Sequence, residues 1–261
     1  MRPVLRHHLL DLADLDDAAF ARHVHKLGQE LSRGLPSPFD RFVHLSLAHA
    51  TLPLASVPRR RDWLGDVVAR DLGRVGADAF EQVTALLPAP YRDPALHIVP
   101  AAPGSGGGLS MAPGVVLALV VPDELAEARL RRNVAHELSH GARQVRKPQL
   151  SQYGYGPQVS YTTRDYLMFE GLAEVLADTL YPAPIAPPMV TPEQEAAWWA
   201  TVDLDAVGFG AYGQYCSNAV SGQIGARIVR AFLSRHGVDV VQAHAIDDEA
   251  LYHQSGYPHL R

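Results

Sequence analysis

The chain has 261 residues, 47% of them hydrophobic and 20% charged, which is enough apolar material for one large domain or two small lobes sharing a cleft. A net charge of -5 without a long basic run argues against nucleic acid as a partner, and a single cysteine, Cys216, excludes a disulfide framework within the chain. The first residues lack the apolar core of a signal peptide, and the longest apolar run, 114–122, is too short to span a bilayer, so no membrane partner and a cytoplasmic location are expected.

Residues 16–33 read as an amphipathic helix, with Phe20, Val24, Leu27 and Leu31 at helical spacing. Stretches 38–50 and 60–87 also read as helices, broken by the segment 51–58 and by Gly76. Arg59-Arg60-Arg61, followed by Asp62, reads as a solvated patch. A proline-rich break at 86–94 sets a soft boundary between a helical N-terminal lobe, 1–90, and a second lobe, 91–261, the two forming one compact unit. Short β-branched runs at 95–101 and 114–121 read as strands. The glycines between them lack the Gly-Lys-Ser/Thr ending of a phosphate loop, so that segment reads as a mobile loop. A helix capped by Asp123 runs to about Val145 and is stopped by Pro148; another covers about 163–180. The prolines of 181–192 read as a semi-rigid connector, and a last long helix covers about 216–235 and ends near Gly237.

The chemistry is concentrated in "NVAHELSHGAR", 133–143. His136 and His140 stand four apart, so a helix puts both imidazoles on one face, aimed at one point. Two imidazoles suit zinc but leave a tetrahedral ion short of a ligand. Glu137 is offset around the helix, where its carboxylate reaches a metal-bound water and can move its proton to a leaving amine. Chance alone produces HExxH in roughly 3% of chains this rich in histidine, so context decides. Here the motif lies in a helix directly after a strand, and a carboxylate motif, "FEGLAEVLAD", follows on the next helix.

Residues 141–146, "GARQVR", carry neither the glycine nor the third histidine of the metzincin pattern. The third ligand must then come from elsewhere. Glu170 is the candidate, with Glu174, one turn further on the same face, as the alternative. With Glu170 as ligand, Glu174 can hydrogen-bond the outer nitrogen of a ligand histidine. The small Gly171 is expected to let the two motif helices approach.

These motifs resemble the gluzincin metallopeptidases, in which HExxH and a glutamate on a later helix hold zinc. Glu-Gly-Leu-Ala, 170–173, is similar to the Glu-Gly-aromatic-Ala of zinc aminopeptidases. A closer resemblance is to a bacterial family of predicted zinc-dependent proteases, through "LHIVPAAPGSGGG", "GVVLALVV", "VAHELSH", "EGLAE" and "QIGARIV". It covers about 95–235, while 1–90 match only in being helical. Two departures stand out. Ser139 occupies a place where that family often has a further histidine. Gly222 and Gln223 stand where an aromatic hydroxyl that stabilises an oxyanion would be sought, which leaves Tyr212 and Tyr215 as the nearest candidates and Arg227 as a weaker one.

The resemblance implies a zincin-like α+β fold, mostly helical, with a small sheet packed against the HExxH helix. It implies Zn2+ as cofactor and a peptide or protein as substrate, laid along the edge of the apolar strand 114–121. The same ligand set would also serve non-haem iron chemistry, or a regulatory protein without catalysis. Metal analysis separates the first of these, and the intact Glu137 speaks against the second.

Overall fold

A computed structural model describes residues 2–8, 12, 15–35, 37, 39–56, 64–65, 70–87, 91, 93–146, 161–184, 189–216 and 218–257. The Arg59-Arg60-Arg61 cluster and Pro148 lie outside the described residues. The fold is α+β and mostly helical, with one four-stranded mixed sheet.

The strands are β1 (Val4–His7), β2 (Ala95–Pro100), β3 (Gly107–Ala112) and β4 (Val115–Val120), in the order β1-β2-β4-β3. β1, β2 and β4 are parallel, and β3 returns antiparallel on β4 with a register irregularity at Ser110/Ala112. β1 shows no alternation of its own in the sequence. β4 is buried along almost its whole length, which accounts for its unbroken run of valine, leucine and alanine.

Two sequence expectations are corrected here. The second half of the glycine-rich loop is strand: glycine is a poor strand former alone, but pairing with β4 overrides local propensity. Consequently 114–121 is an interior strand, and the free edge on that side of the sheet belongs to β3.

Among the described residues, the longer helices preceding β2 are α1 (Asp17–Ser32), α2 (Phe39–Thr51) and α3 (Leu72–Leu86). Asp16 caps α1, its Oδ1 accepting from the Ala19 N–H at 2.7 Å. Gly76 does not break α3. It lies inside the helix because a Cβ there would come within 2.7 Å of Leu96, so the missing side chain lets α3 lie flat on β2.

α4 (Ala126–Arg146) carries HExxH and packs against β3, β4, α3 and α5 (Thr163–Leu180). Asp123 does not cap it directly: its carboxylate accepts from Leu125 in a preceding turn, and the helix begins at Ala126. α5 spans the expected residues, fixed by a Thr162/Asp165 capping box. Within 181–192, α6 (Pro192–Thr201) starts at the last proline, with a second capping box from Thr191 and Gln194.

The last long helix is α7 (Ala219–His236), later in starting than expected. A π-helical turn, Tyr212–Cys216, precedes it, Asn218 caps it, and Gly237 ends it at φ 65°. Short helices α8 (Val240–Ala243) and α9 (Asp248–Gln254) follow. They are tied to α4. The buried Arg143 donates to the carbonyls of His244 at 2.9 Å and Ile246 at 2.7 Å and pairs with Asp248. Ser139 and His244 hydrogen-bond at 2.7 Å, so Ser139 ties α4 to the end of α8.

Candidate metal centre

His136 and His140 project from one face of α4, their Nε2 atoms 3.1 Å apart. Glu170, from the middle of α5, brings its Oε2 to 3.4 Å from His136 Nε2 and 3.7 Å from His140 Nε2. Among the described residues, these three form the group whose potential ligand atoms all lie within 4.8 Å of one another. Four-coordinate zinc with bonds of about 2.0–2.1 Å needs its donors roughly 3.3 Å apart, and the triangle fits that ion.

The surroundings hold each member in place. Phe169 stacks on His140, ring centroids 4.0 Å apart and planes 12° apart. Glu174 sets one oxygen 3.4 Å from His136 Nδ1 and accepts from Arg132 with the other at 2.5 Å. Arg132 also holds Asp178 at 2.6 Å, and Asp178 pairs with Arg230. The Tyr212 hydroxyl donates to Glu170. His140 Nδ1 is buried and has no hydrogen-bond partner among the described residues.

The electrostatics divide the histidines. Burial pushes His140 down to about 3, leaving the neutral imidazole that a metal needs. Burial lowers His136 too, but the hydrogen bond to Glu170 and the charges of Glu137, Glu170 and Glu174 outweigh it and hold it up at about 9. Burial pushes the Glu137 carboxyl up to about 7 against the pull of His136. Burial would also raise Glu170, yet the two imidazoles and Tyr212 hold it below the usual carboxylate range. Arg132 meets the charge of Glu174, while Glu137 and Glu170 share His136, an excess of negative charge that a divalent cation would balance.

Glu137 faces the edge strand rather than the triangle's centre. A Cβ on Gly108 would come within 2.7 Å of its Cγ and Oε1, so glycine is what lets β3 lie against the carboxylate. The Ser110 backbone N–H donates to Glu137, and Asn133 Nδ2 donates to the Gly107 carbonyl at 3.0 Å, tying β3 to α4.

These groups open on a cavity of about 660 Å³ between β3, α4, α5 and α7. Tyr212 lines it from the π-helical turn. Tyr215 does not line it, and both tyrosines pack on the cluster of Tyr161, Tyr166, Phe169 and Cys216. Arg227 reaches the cavity wall, but it is paired with Glu195 and donates to the Val190 carbonyl at 2.9 Å.

Sequence reasoning passed over Arg132, Phe169, Asn133 and Gly108. Arg132 and Asn133 had a signal, since they stand one turn before His136 and Glu137 on the same faces. Phe169 adjoins Glu170. Gly108 had none, because its role depends on a strand pairing that its own neighbours do not announce.

A family described as predicted Zn-dependent protease (DUF2268) matches residues 82–253, more than half of the chain, and the chain belongs to that family. The matched stretch contains β2 to β4, both motif helices and α7. The comparison with curated proteins found no match, and neither did the comparison with solved structures.

Proposed function

We propose that the protein is a zinc-dependent peptidase of the gluzincin type, with His136, His140 and Glu170 as zinc ligands and Glu137 as general base. The observation that carries this reading is the convergence of two Nε2 atoms and one carboxylate oxygen within 3.1–3.7 Å of each other, beside a separate carboxylate that faces a strand edge. Bound there, zinc supplies Lewis acidity, which polarises a carbonyl and makes water acidic enough to lose a proton near neutral pH.

The chain's own residues do the rest. An extended peptide adds to the free edge of β3, which brings its backbone past Glu137. Glu137 takes the proton of the attacking water and returns it to the amide nitrogen as the bond breaks. Tyr212, at the cavity wall, turns its hydroxyl hydrogen from Glu170 to the oxygen that gains charge. Glu174 fixes the tautomer and orientation of His136 through Nδ1.

The test joins metal analysis with one substitution. Protein purified without added metal is expected to hold one zinc per chain, and Glu137→Gln is expected to keep that zinc and lose hydrolysis, because the amide preserves the shape but cannot accept a proton. Loss of zinc in Glu137→Gln would show that Glu137 is a ligand or support rather than the base. Iron in place of zinc would overturn the peptidase reading.

A further inference from the structure

Two glycines of α7 have opposite surroundings. A Cβ on Gly225 would run into the Leu167 carbonyl and crowd Gly171, so helix packing demands that glycine. Gly222, one turn earlier, answers to no such demand. Among the described residues nothing lies within 4 Å of the place its Cβ would take, and it sits inside a helix, where glycine is unfavourable relative to alanine.

What Gly222 faces is the cavity that begins at His136, Glu137 and Glu170. At about 660 Å³ this cavity is far larger than a scissile peptide unit requires, and it falls in the range of pockets that enclose a ligand group. Met189, 76% exposed, and Ala226 of α7 belong to its apolar lining. Met189 is held there because α7 grips its neighbour: Gln223 accepts from the Val190 N–H at 2.9 Å, and Arg227 donates to the Val190 carbonyl. The arginines that line it are already matched, Arg132 with Glu174 and Asp178, Arg230 with Asp178, and Arg227 with Glu195. A charged group entering there would have to break one of these pairs, whereas an uncharged one need not.

We propose that Gly222 determines specificity: its missing side chain leaves room, between Met189 and α7, for a bulky uncharged side chain of the peptide substrate, aromatic or long aliphatic. The inference rests on the peptidase reading above for the identity of the ligand, and on the open volume at Gly222 for its size.

The test uses the zinc-loaded full chain carrying Glu137→Gln and blocked hexapeptides that differ only in one central residue, Ala, Leu, Phe or Trp, with binding measured by calorimetry. Affinity is expected to rise roughly tenfold or more from the Ala to the Phe peptide, the factor that burying such a side chain produces. Adding Gly222→Leu should erase that rise while the Ala peptide stays within about twofold, because the new side chain occupies the same space. Gly222→Ala adds one methyl group to open space, so it keeps fold and zinc and should shift the preference from Trp toward the smaller members. It decides the matter alone if Gly222→Leu loses its zinc. Flat affinities, no binding, or a size preference that survives both substitutions would overturn the proposal. Cleavage by the unsubstituted chain is scored separately. Size-ranked binding without cleavage of any peptide would sink the peptidase reading and leave the pocket standing. Cleavage with flat affinities would do the reverse.

Discussion

Glu174 and Tyr212 touch different members of the His136, His140 and Glu170 triangle, and their substitutions should separate binding from chemistry. Glu174 bears on His136 from behind and is itself held by Arg132. Glu174→Ala is expected to keep the fold and weaken zinc binding by about 10–100-fold, the usual cost of losing such a partner. Glu170→Ala should be worse, since it removes a corner of the triangle. Zinc affinities of the two variants, measured side by side, check the order, and the reverse order would move the ligand one turn along α5. Tyr212→Phe keeps the ring against Tyr166 but removes the hydroxyl. It is expected to retain zinc and lose about 10²–10³ in kcat, as removal of one oxyanion donor does. An unchanged kcat would leave Tyr212 as packing alone.

At the scale of elements, the site depends on how closely α5 and α7 cross. Gly171 follows Glu170 directly, and a Cβ on it would lie 2.5 Å from the backbone of Gly225. Gly171 therefore serves the approach of α7 rather than of α4, which differs from the expectation that it brings the two motif helices together. Glycines from "EGLAE" and "QIGARIV" thus meet at one point. Gly225→Ala is expected to push the helices apart and destabilise the fold by about 1–3 kcal/mol, in the range of overpacking. Gly222→Ala, three residues away, should instead be neutral or stabilising by up to about 1 kcal/mol, because open space leaves only the helix propensity gain. The thermal melt of Gly225→Ala should fall while that of Gly222→Ala holds or rises, and a fall in both would remove the packing argument.

The same contrast explains what could be read from the sequence. His136, His140, Glu170 and Glu174 were legible because a helix repeats every 3.6 residues, and their spacing alone puts them on shared faces. β3 was not, because its strand character comes from β4 and its glycines from the closeness of Glu137, both distant in sequence. Tyr212 could be placed near the site but not distinguished from Tyr215. Both rings pack on the aromatic cluster, and the π-helical turn that brings Tyr212 but not Tyr215 to the cavity wall has no local signature.

At the scale of the whole molecule, the sheet joins residues 4–7 to α4, and a buried histidine sits at the seam. β1 pairs with β2 through residues 4–7 and 95–98, and just beyond it His8 stacks on His97 with ring centroids 5.7 Å apart. His97 is 8% exposed, and its Nδ1 lies 3.4 Å from His8 Nε2. Burial, with His8 and Arg6 adding positive charge nearby, pushes His97 down to about 4 from the ordinary 6.5. A depressed pKa means that the folded state resists a proton which the unfolded chain accepts. Between pH 6.5 and pH 4 the unfolded state therefore binds more protons, and stability must fall as pH falls through that window. Above pH 6.5 neither state protonates this ring, and its contribution is constant. The slope inside the window approaches about 1.4 kcal/mol per pH unit for one proton. Urea midpoints measured from pH 7 to pH 4 should then drop more steeply in the native chain than in His97→Gln, which keeps a polar side chain at that site and has nothing to titrate. The measurement belongs on metal-free protein, so that zinc loss at low pH does not add to the slope. Parallel curves for the two proteins would mean that the ring at 97 takes up its proton as readily folded as unfolded, and that acid sensitivity lies elsewhere in the sheet.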